Sequence, residues 1–265
     1  MERTLGIYVV DAFSDEKFKG NSAAVVPLDE WLEPELMQNI ASENNLSETA
    51  FIKHTANNTY QIRWFSPLTE IDFCGHATLA ASFVLFNHYC VSGAITFETT
   101  KVGELSVVKN QSGRIEMNFP NQRPKEVADV PDELYEGLSI KPVAVLKNRQ
   151  AYIAVLASED DVRNVCYNSE QLKKLAPFDV AVTSASNKYD FVSRYFWPAN
   201  GGDEDPVTGS IHSGLAPMWA EKLNRNVLVA HQASKRGGVL YCEVDDDRVS
   251  ISGYGVLYLQ GKITV

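Results

Sequence analysis

The apolar positions of this chain change period several times, and each change marks an element. Residues 5–10 and 23–26 are apolar runs on either side of a polar turn over 15–21, which predicts two strands. Over 34–44 the spacing becomes helical, with Leu36, Met37, Ile40 and Ala41 on one face. Strand-like runs return at 49–52 and 60–65. Residues 77–86 are then apolar on nearly every face. A helix with no polar side must be enclosed, and short strands at 95–98, 105–108 and 115–119 are suited to enclosing it. The second part of the chain predicts strands at 143–146, 151–156, 180–183 and 191–196, a helix over 211–223, and strands at 227–230, 239–244 and 249–252.

The two parts are in step. Cys74-Gly75-His76 and Thr208-Gly209-Ser210 lie 134 positions apart, and Lys101-Val102-Gly103 and Lys235-Arg236-Gly237 keep that offset, as do Arg114-Ile115 and Arg248-Val249. Upstream, Trp64-Phe65-Ser66-Pro67 aligns with Tyr195-Phe196-Trp197-Pro198 at an offset of 131. An insertion in the loop-like run Asn200-Gly201-Gly202-Asp203-Glu204-Asp205 accounts for the difference. A repeat of this length predicts two similar halves, 1–120 and 121–265, parted where Pro120, Pro124 and Pro131 punctuate a polar run. The expected fold is α/β (α+β). Each half is a barrel-like, antiparallel-rich sheet around a buried central helix, with the ligand site in the cleft between halves.

Composition narrows the function. Apolar content of 45% and charged content of 22% are those of an ordinary folded protein. A net charge of −10 with no basic cluster argues against nucleic acid as a partner. No apolar run approaches membrane-spanning length, and the first residues lack a secretory pattern. The four cysteines, Cys74, Cys90, Cys166 and Cys242, form no CxxC pair, which fits reduced thiols in the cytoplasm and no structural zinc. The expectation is a cytoplasmic protein acting on a small molecule.

Gly75 and Gly209 stand at equivalent helix mouths. Glycine there either permits a tight turn or lets an anion approach free N–H groups at the positive end of the helix dipole. Cys74 invites a thiol mechanism, but its repeat partner is Thr208, so the thiol pair of a two-base racemase is absent. A lone Cys74 with His76 two residues away also lacks the usual nucleophile–base arrangement, and a small buried thiol is the simpler reading. Glu48, in Asn45-Leu46-Ser47-Glu48-Thr49, follows a helix end and opens a strand. It is either an exposed strand-end charge or a general acid/base. Asp205 is either a loop or capping carboxylate or a site residue. His212 reads as a packed or surface histidine.

The segments "VDAFSDEKFKGNSAAVV", "NLSETAFI", "DFCGHATLAASFVL" and "GDEDPVTGSIHSGLAP" together resemble the PhzF-like phenazine biosynthesis family, of diaminopimelate-epimerase-like fold. The overall pattern is most similar to that family's bacterial isomerase-like members. The resemblance implies an isomerase in which Glu48 alone moves a proton within a small unsaturated carboxylate. It assigns Gly75, His76, Asp205, Gly209 and Ser210 to substrate binding, and leaves Cys74 and Thr208 as further candidates. It implies no metal and no cofactor, and a homodimer as candidate assembly. Ala77 and Cys74 depart from the phenazine-producing pattern, which has proline after the histidine and a small residue before the glycine. The substrate is therefore left open. A non-catalytic carboxylate-binding relative and a Cys74-dependent racemase stay as alternatives.

Overall fold

A computed structural model describes residues 2–265, which divide into two compact units, residues up to Asn118 with Ser252–Val265, and Phe119–Ile251. The first unit begins with strand β1 (Thr4–Ala12) and strand β2 (Asn21–Leu28), followed by helix α1 (Pro34–Asn44). Strands β3 (Glu48–Ala56), β4 (Thr59–Phe65) and β5 (Glu70–Ile71) lead into helix α2 (Gly75–His88). Strands β6 (Ile95–Glu98), β7 (Glu104–Lys109) and β8 (Ile115–Pro120) follow.

Pairing is antiparallel for β1–β2, β3–β4, β6–β7 and β7–β8. It is parallel for β2–β3, where α1 makes the crossover, and for β4–β6, where α2 does. Parallel neighbours need such a crossover. One sheet face packs on α1 through Leu5, Ile7, Ala24, Val26, Phe51 and Phe65 against Met37, Ile40 and Ala41. Helix α2 packs on the same strands, β1, β2 and β3. Burial on both faces explains why 23–26 is a continuous apolar run rather than an alternating one. Helix α2 is buried from Gly75 through Ser82 and again from Val84 to Phe86, the enclosure its sequence demands.

The second unit carries strand β9 (Lys125–Glu126), helix α3 (Asp132–Glu136), and strands β10 (Ala144–Lys147) and β11 (Ala151–Val155). Short helices α4 (Glu159–Asn164) and α5 (Ser169–Leu172) precede β12 (Asp179–Ala185) and β13 (Phe191–Phe196). Helix α6 (His212–Leu223) and strands β14 (Val227–Gln232), β15 (Gly238–Val244) and β16 (Arg248–Gly253) complete it. Here β10–β11, β12–β13 and β14–β15 are antiparallel, while β11–β12 and β13–β14 are parallel. The order of pairing types thus runs as in the first unit. Around α6, Phe191 stacks on both His212 and Trp219, and Trp219 Nε1 donates to Thr183 Oγ1 at 3.0 Å.

The last strand, β17 (Gly255–Thr264), belongs to the first unit, where it runs antiparallel to β1 from Thr4↔Thr264 to Ala12↔Gly255. No helix among the described residues is long and apolar enough to cross a membrane.

Candidate functional site

Three segments of the first unit meet at one buried cluster. The first is the start of β2. Gly20 holds φ +64°, and a Cβ there would fall 2.1 Å from the carbonyl oxygen of Ala12. Only glycine makes that turn without strain, and it delivers Asn21 fully buried. The second segment is the start of β3. Helix α1 ends in a left-handed C-cap at Asn45, whose N–H donates to the Ala41 carbonyl. The chain then enters the parallel ladder with Glu48 opposite Ala23. The third is the mouth of α2, where Cys74 is the extended N-cap residue and Gly75 the first helical one.

At the centre, Glu48 Oε2 lies 2.7 Å from His76 Nε2. On the other side of the ring, Asn21 Nδ2 is 3.2 Å and Cys74 Sγ 3.4 Å from Nδ1. Glu48 is 8% exposed and His76 and Cys74 are 6% exposed. Oε2 is in ion-pair contact with the ring, which also raises the affinity of His76 for its proton. The N–H groups of Gly75 and His76 precede the first backbone bond of α2, which runs from Thr78 N to Cys74 O at 3.0 Å. They are the orphan donors of a helix start.

Electrostatics separate the roles. Burial opposes a charged His76, but the Cys74 sulfur and the Glu48 carboxylate beside it outweigh burial and hold its pKa well above the ordinary value. Burial, reinforced by Glu48, pushes the Cys74 thiol up to about 11. Cys74 is then an uncharged thiol near neutral pH, and its sulfur and the Glu48 carboxylate both favour the proton on His76. A thiol so reluctant to ionise is a poor base and a poor nucleophile.

The residues expected from the second repeat form their own constellation in the second unit. Thr208 Oγ1 donates to Asp205 Oδ2, and Thr208 N donates to Gln232 Oε1 at 2.9 Å. Gln232 Nε2 closes the loop on the Asp205 carbonyl at 2.8 Å. Ser210 Oγ accepts from Gln150 Nε2 at 3.0 Å, and that amide also reaches Tyr195 Oη, which donates to Asp179 at 2.5 Å. Gly209 and Ser210 lie in a turn before α6, whose first helical residue is His212. The second helix mouth is therefore looser than the first. His212 donates from Nδ1 to the Thr208 carbonyl at 2.8 Å, and burial lowers its pKa to about 4. It is a neutral core histidine.

Asn21, Gln232 and the Gln150–Tyr195–Asp179 chain escaped the sequence reading. For Asn21 the usable signal was a polar residue immediately before an apolar strand, after a glycine. Among the described residues, the three groups Glu48, Cys74 and His76 also place one donor atom each within 4.8 Å of one another, a set with the chemistry to hold a metal ion.

The profile of the phenazine biosynthesis-like protein family (PhzC-PhzF) matches residues 10–261. The chain belongs to that family. Among its relatives, an "uncharacterized isomerase" of Halalkalibacterium halodurans is 45% identical over 264 residues, covering 98% of each chain. A PhzF-family crystal structure from Enterococcus faecalis is 42% identical with a TM-score of 0.94, covering 98% of this chain and 99% of that one. A hydroxyproline epimerase from Agrobacterium vitis, 8% identical, superposes with a TM-score of 0.63 over 99% of this chain and 93% of its own. That last likeness shows the fold alone: PhzF proteins and epimerases share a scaffold.

Proposed function

We propose that this PhzF-family chain is a cofactor-independent isomerase that moves a proton within a small unsaturated carboxylate, with Glu48 as the single acid/base. The observation that carries the proposal is the buried Glu48 carboxylate at the mouth of α2, whose Oε2 lies 2.7 Å from His76 Nε2. The isomerase names of the relatives, at 45% identity over nearly the whole chain, support the reaction class.

A C–H beside an unsaturated, electron-withdrawing group is acidic enough for a carboxylate in a dry site. The imidazolium of His76 stabilises the Glu48 anion before transfer and offers a donor to negative charge developing on the substrate. The N–H groups of Gly75 and His76 add fixed donors at a helix start. General acid–base help of this kind contributes about 10²–10⁴-fold. The substrate-binding roles of Asp205, Gly209 and Ser210, and a division into two similar halves near residue 120 with strand β17 returning to the first, belong to the same proposal. The shared order of pairing types in the two units supports the division.

The test is incubation of the protein in D₂O with a panel of small unsaturated and cyclic carboxylates, read by mass spectrometry. Incorporation of deuterium at carbon supports the isomerase. Saturable binding with no exchange in any bound acid would instead describe a binding protein.

A further inference from the structure

Glu48 has a counterpart in the second unit. Asp179 lies 131 positions further on, the offset that aligns Trp64 with Tyr195. Each carboxylate opens a strand of a parallel ladder opposite an alanine, Glu48 beside Ala23 and Asp179 beside Ala151, and each residue is 8% exposed. Their partners differ. Asp179 Oδ1 accepts from Asn200 Nδ2 at 2.7 Å and Oδ2 from Tyr195 Oη at 2.5 Å, so both oxygens are engaged. We propose that this second carboxylate is an anchor rather than a base: through Tyr195 it makes Gln150 a positioning residue that fixes the Ser210 hydroxyl as a donor to an anionic oxygen of the substrate. The ligand class rests on the carboxylate substrate proposed above, whereas the orientation of the hydroxyl does not.

Proton counting carries the assignment. Both contacts to Asp179 come from donors, which oppose the burial that raises its pKa. The single O–H proton of buried Tyr195 goes to Asp179, so its oxygen can only accept from Gln150. Gln150 must therefore present its amide nitrogen, and Nε2 lies 2.9 Å from Tyr195 Oη and 3.0 Å from Ser210 Oγ. A reversed amide would set its oxygen against a tyrosine oxygen that has no proton left to give. The two N–H protons serve the two contacts, and Ser210 Oγ is the acceptor in one of them. Its own proton has no protein acceptor among the described residues, and half-buried Ser210 can offer it to a ligand.

The direction of that proton sets the preference. A hydroxyl that already accepts an N–H is polarised toward donation, and a carboxylate oxygen takes its proton in a charge-assisted bond. An ammonium would need Ser210 to accept a second time, with its cation set against the Gln150 amide protons. Gln150 acts through Ser210, and without its amide the hydroxyl is free to rotate and to turn its proton toward the protein.

Neutron diffraction from a deuterated crystal of the full chain reads the orientation without a ligand or a variant. Deuterons of Gln150 Nε2 facing Tyr195 and Ser210, with the Tyr195 deuteron facing Asp179, support the relay; the Gln150 oxygen facing Ser210 would overturn it. The ligand class is read by calorimetry with benzoate, a small unsaturated acid, and with benzylammonium as its cationic counterpart. The wild type should bind benzoate saturably and more tightly than benzylammonium. Ser210→Ala should weaken benzoate by about 10-fold or more, the loss of a hydrogen bond to a charged group. Gln150→Met should weaken it as well, and adding Gln150→Met to Ser210→Ala should change nothing further. Wild-type affinity in Gln150→Met, or a loss that persists undiminished in the Ser210→Ala background, would overturn the positioning role. No saturable benzoate binding, or tighter benzylammonium, would overturn the ligand class. Deuterium exchange tests the isomerase reading separately: benzoate bound as expected, with no exchange at carbon in any acid, would remove the isomerase and leave the relay standing.

Discussion

Replacing Glu48 by Gln should reverse the pH dependence that His76 gives to stability. At 2.7 Å the carboxylate and the imidazolium attract by about 6 kcal/mol for an effective dielectric near 20, which opposes a burial cost of several kcal/mol for the ion. In the wild type the attraction, with the nearby sulfur, prevails, and the folded pKa of His76 stands well above 6.5. Its contribution is therefore complete below the unfolded pKa and fades as pH rises through the folded one. In Glu48→Gln the opposing carboxylate is gone, and burial still holds Cys74 as an uncharged thiol near neutral pH. Burial then dominates, the folded pKa of His76 drops below its ordinary value, and stability is lost as pH falls below 6.5. Each proton so displaced changes stability by about 1.4 kcal/mol per pH unit. The wild-type-minus-variant stability, from urea unfolding between pH 5 and 8, should grow steadily toward acid. His212 acts equally in both proteins and cancels. ¹⁵N NMR of the ring should show an imidazolium at neutral pH in the wild type and a neutral ring in the variant. A stability difference independent of pH, or a charged His76 in the variant, would refute the assignment of Glu48 as the group that holds the proton.

Other outcomes follow from single contacts. His212 is depressed to about 4, so between pH 6.5 and 4 it costs the fold up to about 3 kcal/mol as acid is added; His212→Gln should flatten that acid-side loss in the same unfolding series. Leu79→Ala on the enclosed helix α2, where the side chain is fully buried, should destabilise by about 3–5 kcal/mol in urea unfolding. Trp219→Phe removes the donor to the buried Thr183 hydroxyl and should cost about 2–3 kcal/mol in the same assay.

Elements governed by local pattern were legible in the sequence. Helix α1 spans Pro34–Asn44, as its one-sided apolar spacing predicts. Helix α2 is enclosed as its all-round apolar surface requires, although it begins at Gly75 rather than Ala77 because the glycine itself takes the first helical position. Strand β17 escaped: Gln260-Gly261-Lys262 dilutes its apolar residues, and its identity comes from nine residue pairs with β1 at the far end of the chain. Helices α3, α4 and α5 have six residues or fewer, too short for a periodic signal. At the candidate site, Glu48 and His76 were visible as chemistry-bearing residues, but their contact is a product of the β2–β3 register and the α2 mouth. Asn21 was hidden as one more polar turn residue. Its place against His76 depends on the left-handed Gly20 before it.

The most direct test of the central claim compares Glu48→Gln with Cys74→Ala for solvent deuterium exchange into a substrate carbon. A single-carboxylate mechanism predicts loss of about 10²–10⁴-fold in Glu48→Gln and a rate close to wild type in Cys74→Ala. Exchange that survives in Glu48→Gln and vanishes in Cys74→Ala would contradict it.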